Sequence, residues 1–157
     1  MATYTALVEW TGDGGKFTDN RYSRAHQWQF DGGAVVPASS SPHLVRVPFS
    51  DPAGVDPEEA YVAALSSCHM LWFLSIAAEE GYRVTAYRDA AEGTMAKNDA
   101  GKEVVTHVLL KPAVAFGGDK LPDDEVLAHL HHRAHDACYL ANSVKTVIDV
   151  AGSWTHG

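Results

Sequence analysis

The chain carries two cysteines, Cys68 and Cys138, and these are its candidate nucleophiles. Cys68 lies in Ala-Leu-Ser-Ser-Cys-His-Met and Cys138 in Ala-His-Asp-Ala-Cys-Tyr. Seventy residues separate them, too many for a CxxC redox motif or a paired zinc knuckle. Judged on spacing alone, two buried thiols acting as small hydrophobes are the commoner outcome. In a reducing compartment a structural disulfide is not maintained, so the other possibility is redox chemistry.

The histidines are the next candidates. His129, His131, His132 and His135 crowd one segment, and His131 with His135 has the i, i+4 spacing of a metal pair. The segment reads His-His-Arg-Ala-His and lacks the Glu of a zinc-protease helix, so a solvated face is expected, with no metal and no cofactor. His69 follows Cys68 directly. On a helix it points about 100° away, which makes it a poor base for that thiol and a residue for a dimer interface.

The elements that must position the cysteines can be read from periodicity and turn chemistry. Thr3 to Thr11 alternates as a half-covered strand, and Tyr22 to Phe30 reads as a second. Residues 34 to 55 hold Pro37, Pro42, Pro48, Pro52 and a Ser39-Ser40-Ser41 run, so a loop is expected there, with one short strand at Leu44 to Val47. Asp56, Pro57 and Glu59 form an N-cap, a first-turn proline and a capping box. They open a helix that should run to about Glu80, stop at Gly81 and be buried on nearly all sides. A hairpin comes next, Arg83 to Met95 and Glu103 to Phe116, turning at Asn98 to Gly101. A second helix is expected from Asp123 to Asn142, then a strand at Val144 to Val150 and a loose tail at Gly152 to Gly157. Hairpins segregated from helices indicate an α+β fold, a mostly antiparallel sheet packed on a long central helix and a second helix, in a single domain over 1–157.

Charge narrows the partners. With 20 acidic against 12 basic residues the formal net charge is −8, and no Lys/Arg cluster interrupts it. Such a surface suits neither a nucleic-acid backbone nor an anionic membrane. Ala60 to Ala78 is apolar enough to suggest a membrane span. It contains Ser66, Ser67, His69 and Ser75, and Glu58, Glu59, Glu79 and Glu80 flank it where a span favours Lys or Arg. The opening MATYTALVEW has no basic region leading into an apolar one, so no secretory signal is expected and the reading is cytoplasmic.

Two longer motifs carry a resemblance. Asp-Pro-Glu-Glu-Ala-Tyr-Val-Ala-Ala-Leu-Ser-Ser-Cys-His (56 to 69) resembles the signature of the OsmC/Ohr family, in which a Pro-Glu pair precedes a helical cysteine by ten residues. His-Asp-Ala-Cys-Tyr-Leu-Ala-Asn-Ser-Val (135 to 144) resembles that family's second cysteine and the run into its last strand. The similarity spans roughly Tyr22 to Val150 and looks closer to the general OsmC-like branch than to the Ohr branch.

The resemblance implies a thiol peroxidase that reduces organic hydroperoxides, alkyl or lipid, in oxidative stress defence. Cys68 would attack the peroxide and Cys138 would resolve the sulfenic acid to a disulfide. Glu58 is the glutamate of the Pro-Glu pair, and Arg24 is the chosen arginine, with Arg21 second and Arg46 third. A thiolate is the nucleophile and an ordinary cysteine has a pKa of about 8.5, so a guanidinium beside it, itself held by a bidentate carboxylate, suits the task. Tyr61, Met70, Leu71, Trp72 and Phe73 would supply an apolar lining. A dithiol, such as a lipoyl protein in the Ohr branch, would be the reductant. Ten residues of α-helix span about 15 Å, so Glu58 is predicted to reach the Cys68 of a second copy in an intertwined homodimer. Two other classes stand beside this one: an OsmC-like binding or structural domain without turnover, and a cysteine-dependent hydrolase for which Cys138 is dispensable.

Overall fold

The computed structural model describes every residue from Met1 to Gly157. The chain groups into two compact units, Met1–Ala60 and Tyr61–Gly157, with the boundary inside the long helix α1 (Pro57–Glu79).

The first unit is a three-stranded antiparallel sheet of β1 (Ala6–Glu9), β2 (His26–Phe30) and β3 (Val35–Ala38), with β2 in the centre. Ala6 lies opposite Phe30 and His26 opposite Ala38. The expected strand at Leu44 to Val47 does not form, and β3 forms earlier. The reason is a tight turn: Gly33 takes φ +87 and Phe30 N–H donates to the Ala34 carbonyl at 3.0 Å, sending Val35 and Val36 straight back along β2. Leu44 and Val45 instead donate their N–H groups to the Ser41 carbonyl and turn.

Helix α1 begins as its caps dictate. Asp56 N–H donates to Glu59 Oε1 and Glu59 N–H to Asp56 Oδ1, each at 2.8 Å, which closes the capping box. It ends in a Schellman motif, with Tyr82 N–H on the Ala77 carbonyl at 2.8 Å and Gly81 at φ +80.

In the second unit the expected hairpin is broken into four strands that belong to two sheets. One sheet is β4 (Arg83–Asp89), β7 (Pro112–Gly117) and β9 (Ser153–His156), and the other is β5 (Glu92–Lys97), β6 (Glu103–Leu110) and β8 (Val147–Val150). The chain switches sheets twice at one level, after Asp89 and at Lys111. Asp89 ties the two corners together, because its Oδ1 accepts from Lys111 N at 2.6 Å while Pro112, its strand partner, has no N–H to give. The tail expected to be loose is β9, parallel to β7, and β8 runs parallel to β6, so the sheets are mixed rather than purely antiparallel.

Helix α2 (Asp124–Ala137) starts at the Asp123 cap, whose carboxylate accepts from Val126 N at 2.8 Å. It ends five residues before the expected Asn142. Cys138 leaves the helix at ψ 115, and a 3-10 turn comes after it at Ala141–Ser143.

Two apolar clusters make the core of this unit. Phe73, Ile76 and Ala77 of α1 pack with Val114, Phe116, Leu127, Leu130 and Ala134, and Leu65 packs with Val108 and Leu110. Fully burying a side chain such as Phe73 contributes roughly 1.5–3 kcal/mol. By length and composition α1 could cross a bilayer, yet Leu65, His69, Phe73 and Ile76 form one continuous stripe facing this core. The other face departs from the expected all-round burial: Ala63, Ala64, Ser67, Leu71 and Ser75 are exposed, Leu71 by 60%.

Candidate active site

Helix α1 carries Cys68 on the edge between its buried stripe and its exposed face. The end of α2 delivers Cys138, which is 1% exposed. The two sulfurs stand 2.7 Å apart, both as free thiols. Burial first, and then the contact with Cys68, pushes the Cys138 thiol up to about 11. The Ala141 N–H, donating to Cys138 Sγ at 3.4 Å, pulls the other way. At neutral pH Cys138 therefore carries its proton.

The side chains around the thiols differ from the expected lining. Trp72, one turn beyond Cys68, meets Tyr139 edge to face at 5.4 Å, so an aromatic pair stands beside the two sulfurs along the chain. Leu71 is exposed, whereas Phe73 is 0% exposed and belongs to the core. Tyr61 packs in the second cluster and hydrogen-bonds Thr146 Oγ1 at 2.7 Å.

Glu58 lies in the first turn of α1, and its Oε2 is buried without a hydrogen-bond partner. The helix continues unbroken from there to Cys68, about 15 Å further along its axis. The expected Arg24–Glu58 pair does not form within the chain. Arg24 Nη1 donates to the carbonyls of Asn20 (2.8 Å) and Tyr22 (2.6 Å), and its Cζ lies 3.7 Å over the Tyr22 ring, so local backbone occupies the guanidinium. Arg46 lies 5.6 Å from the Phe49 ring, and neither it nor Arg21 is ion-paired.

The histidine expectations need two corrections. His131 is not on a solvated face: it is 5% exposed, stacked on Phe73 at 4.4 Å, with its Nδ1 3.0 Å from His69 Nε2. His69 is likewise in the core at 2% exposure rather than at an interface. Burial lowers both to about 4, so the pair is neutral. His129 and His132 stay outside, beside Glu80 and Asp136 at 3.3 Å each. No group of His, Cys, Asp and Glu side chains converges as a metal site. A groove of about 640 Å³ opens between α2 and the β8–β9 connection, lined by Asp124, His131, His135 and Trp154 among others. Neither cysteine lines it.

Sequence reasoning missed the grip that Asn142 has on Cys138. Asn142 Nδ2 donates to the carbonyls of Asp136 and Cys138, both at 2.9 Å. The signal was present, since a short amide side chain just past a helix end is a common satisfier of orphan carbonyls.

A family model described as OsmC-like protein matches residues 50–151, the span that contains both cysteines and Glu58. An OsmC-like protein of unknown function from Vibrio cholerae is 52% identical, covering 98% of this chain and 100% of its own, with a TM-score of 0.95. An OsmC-like protein from Mycoplasma pneumoniae shares the fold at 12% identity, with 99% of each chain covered and a TM-score of 0.74. So does an organic hydroperoxide resistance protein from Elizabethkingia anophelis, at 16% identity, 99% coverage of each chain and a TM-score of 0.63. No curated protein matches the sequence. With its cysteine-bearing helix, its second cysteine at the end of α2 and a family match over about two thirds of its length, the chain belongs to the OsmC-like protein family.

Proposed function

We propose that the protein is a cysteine-based peroxidase that reduces organic hydroperoxides. The observation that carries this reading is the 2.7 Å approach of the only two cysteines, brought together from elements seventy residues apart. The thiolate of Cys68 attacks one peroxide oxygen, the O–O bond breaks, and the alcohol leaves with a proton. Cys68 is left as a sulfenic acid. Cys138, kept protonated by burial, does not compete for peroxide and waits as the resolving thiol. Its condensation with the sulfenic acid expels water and forms the disulfide. A dithiol, of the lipoyl-protein kind, returns both sulfurs to thiols in the cytoplasm, where a reducing poise keeps them so.

The exposed Leu71 and the Trp72–Tyr139 pair favour an alkyl or lipid hydroperoxide over hydrogen peroxide. Structural relatives named as organic hydroperoxide resistance proteins support the same substrate class. The unpartnered Glu58 oxygen and the exposed apolar face of α1 support a homodimer in which Glu58, with Arg24 swung off its own loop, serves the second copy's Cys68.

The test is a free-thiol count with intact mass before and after one equivalent of cumene hydroperoxide. The wild type should lose both thiols and the mass of two hydrogens, and Cys138→Ser should accumulate a sulfenic or overoxidised Cys68. Survival of both thiols in the wild type would leave an OsmC-like fold kept for binding.

A further inference from the structure

Cys138 is held from both sides: its N–H donates to the His135 carbonyl of α2 at 3.2 Å, and the turn on its C-terminal side holds its carbonyl and its sulfur. Helix α2 stops at Ala137, and Cys138 turns to extended backbone at φ −65, ψ 115, so beyond its N–H the peptide that follows it is set by the turn and not by the helical ladder. Its carbonyl accepts two donors from one residue: Asn142 N–H at 3.1 Å and Asn142 Nδ2 at 2.9 Å. Nδ2 also donates to the Asp136 carbonyl at 2.9 Å. One side chain thus bridges the last turn of α2 and the peptide plane of Cys138. The Sγ receives a further N–H from Ala141 inside the same turn. Ser143 braces this turn differently, its Oγ donating to the Tyr139 carbonyl at 2.6 Å and its N–H to the Leu140 carbonyl at 3.0 Å, with no hydrogen bond to Cys138.

We propose that Asn142 is the positioning residue of the resolving step, its carboxamide aiming Cys138 Sγ at Cys68 Sγ. The inference rests on the peroxidase reading and deepens it. In the step concerned, Cys138 Sγ–H meets Cys68 Sγ–OH, an S–S bond forms and the S–O bond breaks. The sulfenic sulfur is reduced, the Cys138 sulfur is oxidised by the same amount, and the thiol proton leaves with the hydroxide as water. Attack requires Cys138 Sγ to lie on the line of the breaking S–O bond, and a misplacement of about 1 Å can cost on the order of a hundredfold. Asn142 makes no hydrogen bond to either sulfur, so the attack of Cys68 on the peroxide should be independent of it.

The experiment is a single turnover of the reduced protein with one equivalent of cumene hydroperoxide. It tracks sulfenic acid and disulfide separately, with the sulfinic fraction of Cys68 read by mass at excess peroxide. In Asn142→Ala the sulfenic acid should form at the wild-type rate. Disulfide formation should slow by about tenfold or more, and the sulfinic fraction should rise. Asn142→Asp is nearly isosteric and lacks the Nδ2 hydrogens, so it should show the same defect and serves if the alanine variant does not fold. Ser143→Ala should resolve at the wild-type rate. Normal resolution in Asn142→Asp, beside a wild type that forms its disulfide, overturns the inference alone. Equal slowing in Ser143→Ala also overturns it, because general loosening of the turn would then account for the loss. A wild type that forms neither sulfenic acid nor disulfide removes the peroxidase reading and the inference together.

Discussion

Acidification from pH 7 to pH 5 should weaken the folded state through the buried His69–His131 pair. Both imidazoles lie in the core, 3.0 Å apart between Nε2 and Nδ1. Burial is the main cause that lowers each from 6.5 to about 4; His135 adds to the effect on His69, Asp89 opposes it, and the charge of His69 adds to it on His131. A histidine whose pKa is lower in the folded than in the unfolded chain costs nothing well above pH 6.5. As pH falls below 6.5 the unfolded chain takes up a proton that the folded chain refuses, and stability declines until about pH 4. For one imidazole with these two values the loss between pH 7 and pH 5 is about 2 kcal/mol, and about 4 kcal/mol for two acting independently. Against a total of roughly 5–15 kcal/mol for a typical domain, either is easily measured. The Glu80 carboxyl, held below its usual value by hydrogen bonding to Arg133, loses stability only at more acid pH and stays out of this window.

The assay is urea unfolding at pH 7 and pH 5 at one protein concentration, on the wild type and on His131→Gln. The glutamine can still hydrogen-bond His69 but does not titrate. Its baseline stability should be lower, and its loss between the two pH values should be smaller than the wild type's by about 2 kcal/mol. An identical loss in both proteins, or a wild type as stable at pH 5 as at pH 7, refutes the reasoning, because the pair would then be protonated or solvated in the folded state.

Local geometry sets two further outcomes. Gly93→Ala would place a Cβ 2.5 Å from Val62 Cγ2, where α1 crosses β5, and should destabilise the protein by about 1–3 kcal/mol in the denaturant midpoint. Asp56→Ala removes the acceptor for Glu59 N–H and should cost about 1 kcal/mol in the same measurement, with Asp56→Ser retaining most of the cap.

The legible parts of the fold were those written in local sequence. The capping box at Asp56 to Glu59 and the stop at Gly81 delimit α1 because each acts through residues within one turn. The place of Cys68 within α1 came from the same kind of signal, whereas Cys138 lies one residue past the end of α2. The parts that sequence reading could not resolve depend on tertiary register. Arg83 to Met95 alternates like one strand, and the corner after Asp89 is braced by a carboxylate that meets Lys111 N twenty-two residues later. The tail became β9 because β7 offers a parallel edge to Ser153–His156, a partner remote in sequence.

The histidine cluster shows most clearly why periodicity alone misleads about a site. Four histidines within seven residues resemble one polar face, but a helix turns about 100° per residue, so they cannot all point the same way. His131 shares its face with Leu127, Leu130 and Ala134, each of them buried, and is carried into the core with them. There an imidazole needs a partner. His69 provides it because its place on α1, four residues from both Leu65 and Phe73, lies in the stripe that faces α2. The neighbour of Cys68 is thereby occupied with holding the core together, which leaves the thiol pair without a local histidine base. In the peroxidase reading proposed above an arginine supplies the charge beside Cys68, and the orphaned Glu58 oxygen, the one buried carboxylate atom without a hydrogen-bond partner, supports that reading.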